Sequence, residues 1–197
     1  MTYCCGILVR DGLVMIADTR TNAGLDNVST FRKLHIFSKP GERIMAIASA
    51  GNLAISQSVL STLTEGIEDP DTGEVETLMN APTMFQAAQR IGRAIRLVHA
   101  TEGPALRSED VSFDVSFLFG GQIKGSRMRL FMVYTAGNFI ECTTDAHARV
   151  AIGLDYLGAA PVRGTRYGGG METLTVSVKV DQAGRSGPSQ SQSQSQS

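Results

Sequence analysis

The residue best suited to chemistry in this sequence is Thr2. Removal of the initiator Met1 is expected when the next residue is small, and it would leave Thr2 with both a hydroxyl and a free α-amine. An α-amine has an unperturbed pKa of about 7.7 to 8.0, so it can accept the hydroxyl proton near neutral pH. We therefore expect nucleophilic attack by an oxygen whose general base belongs to the same residue.

Three further positions could complete such a site. A hairpin between TYCCGILV and LVMIAD would return Asp18 to the start of the first strand, where Thr2 lies. Lys33 begins the next strand, and an ammonium close to the threonine oxygen favours its deprotonated form. Gly51 lies in a turn where a backbone N–H could face a developing oxyanion. Taken separately, these residues fit a strand-end cap, a solvated cation and an ordinary turn; together they favour acyl transfer.

The elements that would position these residues begin with strands. The apolar runs predict strands over 2–9, 13–18, 34–37 and 43–49, with an irregular loop over 19–33. After the turn at residues 50–52, Ile55, Val59 and Leu63 recur at helical spacing. Residues 65–80 are acidic and predict an exposed connection to a second helix. That helix begins near Pro82 and ends at Gly103-Pro104.

The second half of the chain returns to strands. Apolar residues alternate from Val111 to Phe119, Gly120-Gly121 predicts a turn, and two more strands follow over 128–134 and 139–143. The order of strands, two helices and strands predicts an α+β fold in which helices cover two antiparallel sheets packed face to face.

Composition restricts the function classes. The chain has 197 residues, 42% of them hydrophobic, which predicts one domain and a tail. Its net charge of -1 gives no electrostatic reason to expect nucleic acid or a membrane surface as a partner. The three cysteines and three histidines lack metal-ligand spacing, so we expect no metal and no organic cofactor. Without a secretory signal or an apolar run of spanning length, we expect a soluble, cytoplasmic protein.

Several segments taken together resemble a known family: MTYC, LVMIADTRTNAG, STFRKLHIF, KPGER and SAGNLA. They are similar to the bacterial proteasome-type peptidases of the ancestral β-subunit family, which are N-terminal-nucleophile hydrolases. The similarity runs from Thr2 to about Gly153. It implies an αββα sandwich, Thr2 as nucleophile and general base, and Asp18 with Lys33 as the supporting pair. It also implies that Arg20 joins that charged cluster and that Gly51 donates the oxyanion hydrogen bond.

The same resemblance implies how substrate binds and how subunits assemble. Thr21 and Asn22 would align the substrate backbone, and Thr21, Phe31 and Ser49 would line the pocket for the residue before the cut bond. The implied activity is that of a threonine-type endopeptidase. It would cleave peptides or unfolded proteins inside a homo-oligomeric ring or spiral, once Met1 has been removed.

Other functions stay open at this point. One alternative is an inactive structural subunit of such an assembly, and another is an N-terminal-nucleophile amidase with a small substrate. A cysteine hydrolase using Cys4 or Cys5 is the remaining enzyme class. Neither cysteine can become N-terminal, and no motif places a histidine to activate it, so packing on the first strand is the preferred interpretation.

The C-terminal part departs from the family pattern. We predict a hydrolase domain over 1–158, an atypical segment over 159–184 with one strand, TLTVSVKV, and a disordered Ser/Gln-rich tail over 185–197. Family members continue into two more helices and closing strands, which carry a serine near the threonine and an Asp and a Ser that orient its amine. From Leu154 onward the sequence shows neither a long amphipathic stripe nor the expected acidic and serine positions. We therefore expect an incomplete C-terminal helical layer, and a frameshift or truncation is our hypothesis for its origin.

Overall fold

The computed structural model describes residues 2–9, 12–22, 28–142, 149–152 and 171–174, with side chains for 2–9, 12–19 and 30–142. In chain order its strands are β1 (Cys4–Val9), β2 (Gly12–Asp18), β3 (Arg20–Asn22), β4 (Val28–Thr30), β5 (Leu34–Lys39), β6 (Arg43–Gly51), β7 (Ile67–Glu68), β8 (Val75–Glu76), β9 (Val115–Ile123), β10 (Arg129–Val133), β11 (Phe139–Cys142), β12 (Arg149–Ile152) and β13 (Met171–Leu174). The helices are α1 (Leu53–Glu65) and α2 (Met84–Ser108).

Two antiparallel sheets carry the fold. The first has the order β12-β1-β2-β13, and the second has the order β11-β10-β9-β6-β5. In the first sheet the predicted hairpin is present, and Cys4 lies opposite Ala17 while Val9 lies opposite Gly12. In the second sheet β9, β10 and β11 form the predicted meander. The predicted α+β architecture with two antiparallel sheets is confirmed.

The two helices cover one face of the second sheet. Asn52 caps α1 by accepting hydrogen bonds from the N–H groups of Ala54 and Ile55, and Thr83 caps α2 by accepting one from Gln86. The apolar stripe of α2 is buried at every predicted position, Met84, Ala88, Ile91, Ile95 and Val98. A helix whose apolar side chains follow this spacing is stabilised mainly by packing, here against the sheet.

The core has two layers, one on each face of the second sheet. The helix-side layer contains large side chains, among them Phe117, Phe119 and Phe131. The inter-sheet layer combines leucines with small residues such as Ala46 and Ala48. Because side chains alternate across a strand, neighbours on β9 belong to different layers.

The glycine pair at 120–121 was expected to form a turn, and that expectation is wrong. Both residues lie inside β9, and the chain turns only after Ile123. A Cβ on Gly120 would collide with Leu13 of the first sheet, and one on Gly121 would collide with the backbone of Ile44 on β6. These glycines are needed because neighbouring chain segments approach closely, which is the other common reason for a glycine in a strand. The strand also begins at Val115 rather than at residue 111.

Two further boundaries differ from the sequence-based expectation. α2 continues through Pro104 to Ser108, so the end predicted at Gly103-Pro104 is wrong. Proline removes one helical hydrogen bond, but Leu106 beyond it packs against the helix-side core and stabilises the last turn. The connection over residues 66–80 is not merely exposed, because it contains the β7–β8 pair and a 3-10 turn whose Leu78 is fully buried.

The loop predicted over residues 19–33 contains regular structure. β3 and β4 form a short hairpin in which Thr21 lies opposite Ser29. Near the C-terminus, β13 overlaps the predicted strand only at residues 173–174 and pairs with β2. The rest of that prediction, the predicted tail and the expected incompleteness of the C-terminal helical layer concern residues outside the described part of the chain. In the part of the chain that is described, no helix is long and apolar enough to cross a membrane.

Candidate active site

The structure brings Thr2, Asp18 and Lys33 into contact. The Lys33 ammonium donates a hydrogen bond to Thr2 Oγ1 at 3.0 Å and contacts both carboxylate oxygens of Asp18 at 3.0 and 2.9 Å. The Lys33 side chain is only 4% exposed, whereas that of Asp18 is 22% exposed. A buried ammonium requires a partner and hydrogen bonds, and Asp18 supplies both. A positive charge therefore lies at hydrogen-bond distance from the threonine hydroxyl.

The first sheet positions the threonine and the aspartate. Thr2 lies two residues before β1, and Asp18 is the last residue of β2. The Asp18 N–H donates to the carbonyl of Tyr3 at 3.0 Å, and the Tyr3 N–H donates to Asp18 Oδ1 at 2.7 Å. The carboxylate is thus held by the backbone of the residue that follows Thr2, as well as by the lysine.

The second sheet positions the lysine. Lys33 lies immediately before β5, and its carbonyl accepts a hydrogen bond from the Ser49 N–H at 3.0 Å and from the Ser49 hydroxyl at 3.4 Å. The thiol of Cys4 on β1 donates to the Ser49 carbonyl at 3.4 Å. The nucleophile candidate and the lysine thus come from different sheets, and the inter-sheet layer fixes their separation.

Gly51 ends β6, two residues beyond Ser49 and therefore about 7 Å further along the strand. Its φ of +102° and the nearness of the Asp114 carbonyl, with which a Cβ would collide, both require glycine. The next N–H, that of Asn52, donates to the same carbonyl at 2.7 Å. The backbone here is therefore fixed beside the start of α1, and the role of the Gly51 N–H stays a prediction.

Solved structures similar to this chain form a consistent group. They include Anbu, a Gly-1 mutant, from Hyphomicrobium sp. strain MC1 (43% identity, TM-score 0.67, covering 78% of this chain and 61% of that protein). Anbu (ancestral beta-subunit) from Yersinia bercovieri has 43% identity and a TM-score of 0.66, and the match covers 77% of this chain and 60% of that protein. The helical assembly of the Anbu complex from Pseudomonas aeruginosa has 38% identity and a TM-score of 0.69, and the match covers 77% of this chain and 61% of that protein. The chain belongs to the bacterial ancestral β-subunit family.

The resemblance to the family has a limited extent. The chain spans about three-fifths of the length of these Anbu proteins, 60 to 61% of each. No protein-family model and no curated protein matches the chain. Membership in the proteasome-like ancestral β-subunit family therefore rests on the similarity to solved structures, and it agrees with the resemblance of the N-terminal motifs.

The other residues that the family pattern selects are placed as follows. Arg20, Thr21 and Asn22 form β3, and their side chains lie outside the described part. Phe31 is 37% exposed, and its N–H donates to the carbonyl of Thr19 at 2.8 Å, which ties the loop end to β2. Ser49 is buried, and its hydroxyl bonds to the Lys33 carbonyl. The substrate-binding roles of these residues stay predictions.

The cysteines on β1 differ from the threonine in their surroundings. Burial, together with the nearby Asp18 carboxylate, raises the pKa of the Cys4 thiol to about 12. Such a thiol stays protonated at neutral pH and is a poor nucleophile. Among the described residues no group of three or more His, Cys, Asp or Glu side chains could hold a metal ion. The Cys4 thiol is therefore a poor candidate for the reactive group.

Sequence reasoning missed the backbone contributions to the site. The Tyr3 N–H that holds Asp18 and the Thr19 carbonyl that holds Phe31 are main-chain groups, and every residue type offers them. Only Asn52 had a recognisable signal, because Asn immediately before an apolar helical period is a common N-cap.

Proposed function

We propose that this chain is a threonine-type endopeptidase of a proteasome-like assembly, with Thr2 as the nucleophile once Met1 has been removed. The contact between the Lys33 ammonium and Thr2 Oγ1, backed by Asp18, is the observation that carries the proposal. A buried cation aimed at a hydroxyl stabilises negative charge on that oxygen, which is what an attacking threonine requires.

The first half of the reaction is acyl transfer to Thr2. Thr2 Oγ1 forms a bond to the scissile carbonyl carbon while its proton moves to the α-amine of the same residue. The carbonyl oxygen becomes an oxyanion, which accepts a hydrogen bond from the Gly51 N–H. The C–N bond then breaks, the α-ammonium returns the proton to the leaving amine, and an ester to Thr2 remains.

The second half is hydrolysis of that ester. The α-amine takes a proton from a water molecule, whose oxygen attacks the ester carbonyl. Collapse of the second tetrahedral intermediate breaks the bond to Thr2 Oγ1, which recovers its proton from the α-ammonium. Lys33 acts by its charge, and Asp18 keeps that charge in place.

The assembly is proposed to be a homo-oligomeric ring or spiral. The Pseudomonas aeruginosa relative forms a helical assembly, and the two chains are 38% identical with a TM-score of 0.69. A head-to-tail contact between like subunits generates a ring if it closes and a helix if it does not. Enclosed active sites would limit the substrates to peptides and unfolded proteins.

The decisive experiment measures the chemistry of Thr2 directly. The purified full chain is analysed by intact mass for loss of Met1, then treated with a hydroxyl-directed peptide electrophile and digested to locate the adduct. We expect one adduct on Thr2, its loss in Thr2→Ala, and retention in Thr2→Ser and in the distant control Thr101→Ala. Equal labelling of Thr2→Ala would defeat the proposal. Assembly without labelling or peptide hydrolysis would instead support the inactive structural subunit.

A further inference from the structure

An open groove runs between β5, at the edge of the second sheet, and α1, with a volume of about 560 Å³. This volume lies within the range of small-molecule and side-chain sites, about 300 to 1,000 Å³. Phe37 and Leu60 supply apolar surface, and polar side chains stand along the rim. We call it the β5–α1 groove.

One end of the groove adjoins the candidate active site. His35 lies opposite Ile47, a residue of the helix-side core, so His35 points to the same side of the sheet. It is two residues beyond Lys33, about 7 Å along the strand. On the other wall α1 starts at Leu53, two residues after Gly51, and Gln57 lies in its second turn. A substrate acyl group on Thr2 therefore has this end of the groove as its neighbour.

This near end is positive. Arg32 lines it and is exposed, and among the described residues no carboxylate lies within ion-pair distance of its guanidinium. His35 adds no charge at neutral pH, because burial and the Arg32 charge lower its pKa, although a hydrogen bond to the Arg32 carbonyl opposes this shift. The start of α1 contributes the positive end of its dipole.

The far end of the groove has the opposite sign. Glu65 lines it and lies eight positions after Gln57, which corresponds to about 12 Å along α1. A side chain that enters from Thr2 thus meets Arg32 and the Gln57 amide first, and the carboxylate of Glu65 lies well beyond the reach of one side chain.

We propose that the β5–α1 groove receives the side chain of the substrate residue before the cut bond and selects a carboxylate there. Arg32 is the specificity-determining residue, and Gln57 is a second donor. The inference rests on the proposed peptidase function and names the substrate class of that same site, acidic at this position.

The test uses binding, so that it does not depend on turnover. The full chain carrying Thr2→Ala is titrated with fluorescent peptides that differ only at the residue before the cut, which is Glu, Gln or Lys. We expect the Glu peptide to bind about tenfold or more tighter than its isosteric Gln counterpart, since a charge-assisted hydrogen bond contributes roughly that factor. Arg32→Glu should reverse the preference towards Lys, and Arg32→Gln should abolish it.

The matched control is Arg127→Glu, which makes the same charge change on a side chain that is 73% exposed and lies outside the groove. It should leave the ratio between the Glu and Gln peptides unchanged. Glu and Gln affinities within twofold of each other, or the same response to both arginine variants, would overturn the inference. Peptide hydrolysis by the unsubstituted chain is measured separately, and its absence would contradict the peptidase proposal. The ratio of the Glu and Gln peptide affinities would still test whether the groove selects a carboxylate.

Discussion

The two sheets differ in what anchors them. The second sheet is packed on both faces, against α1 and α2 on one side and against the first sheet on the other. In the described part of the chain, the first sheet has a packed core on one face only, formed by residues such as Leu13 and Met15. Lys33 belongs to the doubly packed sheet, whereas Thr2 and Asp18 belong to the other. The comparison predicts that the geometry of the candidate site depends on the inter-sheet layer, while global stability depends more on the helix-side layer.

Lys33→Met breaks the contact that joins the two sheets at the site. We expect acylation of Thr2 to slow by about 10² to 10³-fold, the usual consequence of removing one group that stabilises developing negative charge. Single-turnover labelling measures this rate. Lys124→Met, in the turn after β9, is the control that removes a lysine elsewhere. A Lys33 variant that acylates at the original rate would show that the ammonium does not act on Thr2.

Phe119→Ala and Leu118→Ala separate the two core layers. The residues are neighbours on β9 and fully buried, but Phe119 lies in the helix-side layer and Leu118 in the inter-sheet layer. Truncation should lower the free energy of unfolding by about 3 to 5 kcal/mol for Phe119 and about 2 to 5 kcal/mol for Leu118. Denaturant titration measures both losses.

The layers should differ in their effect on the site. In the folded fraction, Leu118→Ala should slow Thr2 acylation by about tenfold to a hundredfold, because misplacement of reacting groups by about 1 Å costs that much. Phe119→Ala should leave the acylation rate near its original value. Equal rates in the two variants would contradict the division of roles between the layers.

The sequence was informative where side-chain pattern alone determines structure. The hairpin that returns Asp18 to Thr2 and the apolar stripe of α2 both follow from periodicity, and both are present. Glycine was ambiguous: at residues 120–121 the sequence cannot distinguish a turn from close approach to Leu13 and Ile44. That distinction depends on which sheets pack together, a long-range fact that no local window contains.

The candidate site was predicted unevenly for a related reason. The pairing of Lys33 with Asp18 was predicted from the hairpin and the strand that follows the loop, and the family resemblance implied it as well. The two residues lie fifteen positions apart and come from different sheets. The backbone contacts of Tyr3 and Thr19 have no side-chain signature at all. The sequence therefore identified the side chains of the candidate site. The main-chain hydrogen bonds that orient those side chains could be found only from the structure.

Gly120→Ala tests how tightly the sheets are spaced. The added methyl group would collide with Leu13 and crowd Leu130, so we expect a loss of about 1 to 3 kcal/mol in the free energy of unfolding. Leu13→Ala creates room at the same place, so the double variant should be less unstable than the sum of the single variants. Denaturant titration measures both losses. If the two losses were strictly additive, the space between Gly120 and Leu13 would not be what limits the size of the residue at position 120.

Substitution of Glu141, at the edge of the second sheet, should have the smallest effect on stability and leave the candidate site unchanged. The hydrogen bond from Arg129 lowers the pKa of Glu141, with a further contribution from the charge of Arg127. A carboxyl whose pKa is lower in the folded state stabilises the fold above its unfolded pKa, and this contribution is lost as pH falls below about 4.5 through the folded value. Glu141→Gln should therefore lower stability by up to about 1 kcal/mol at pH 7 and by less at pH 3.

The exposed Glu74→Gln is the control, and Thr2 acylation should be unaffected in both variants. A larger loss at pH 3 than at pH 7 would contradict the assigned sign, and slower acylation would show that the sheet edge is coupled to the site.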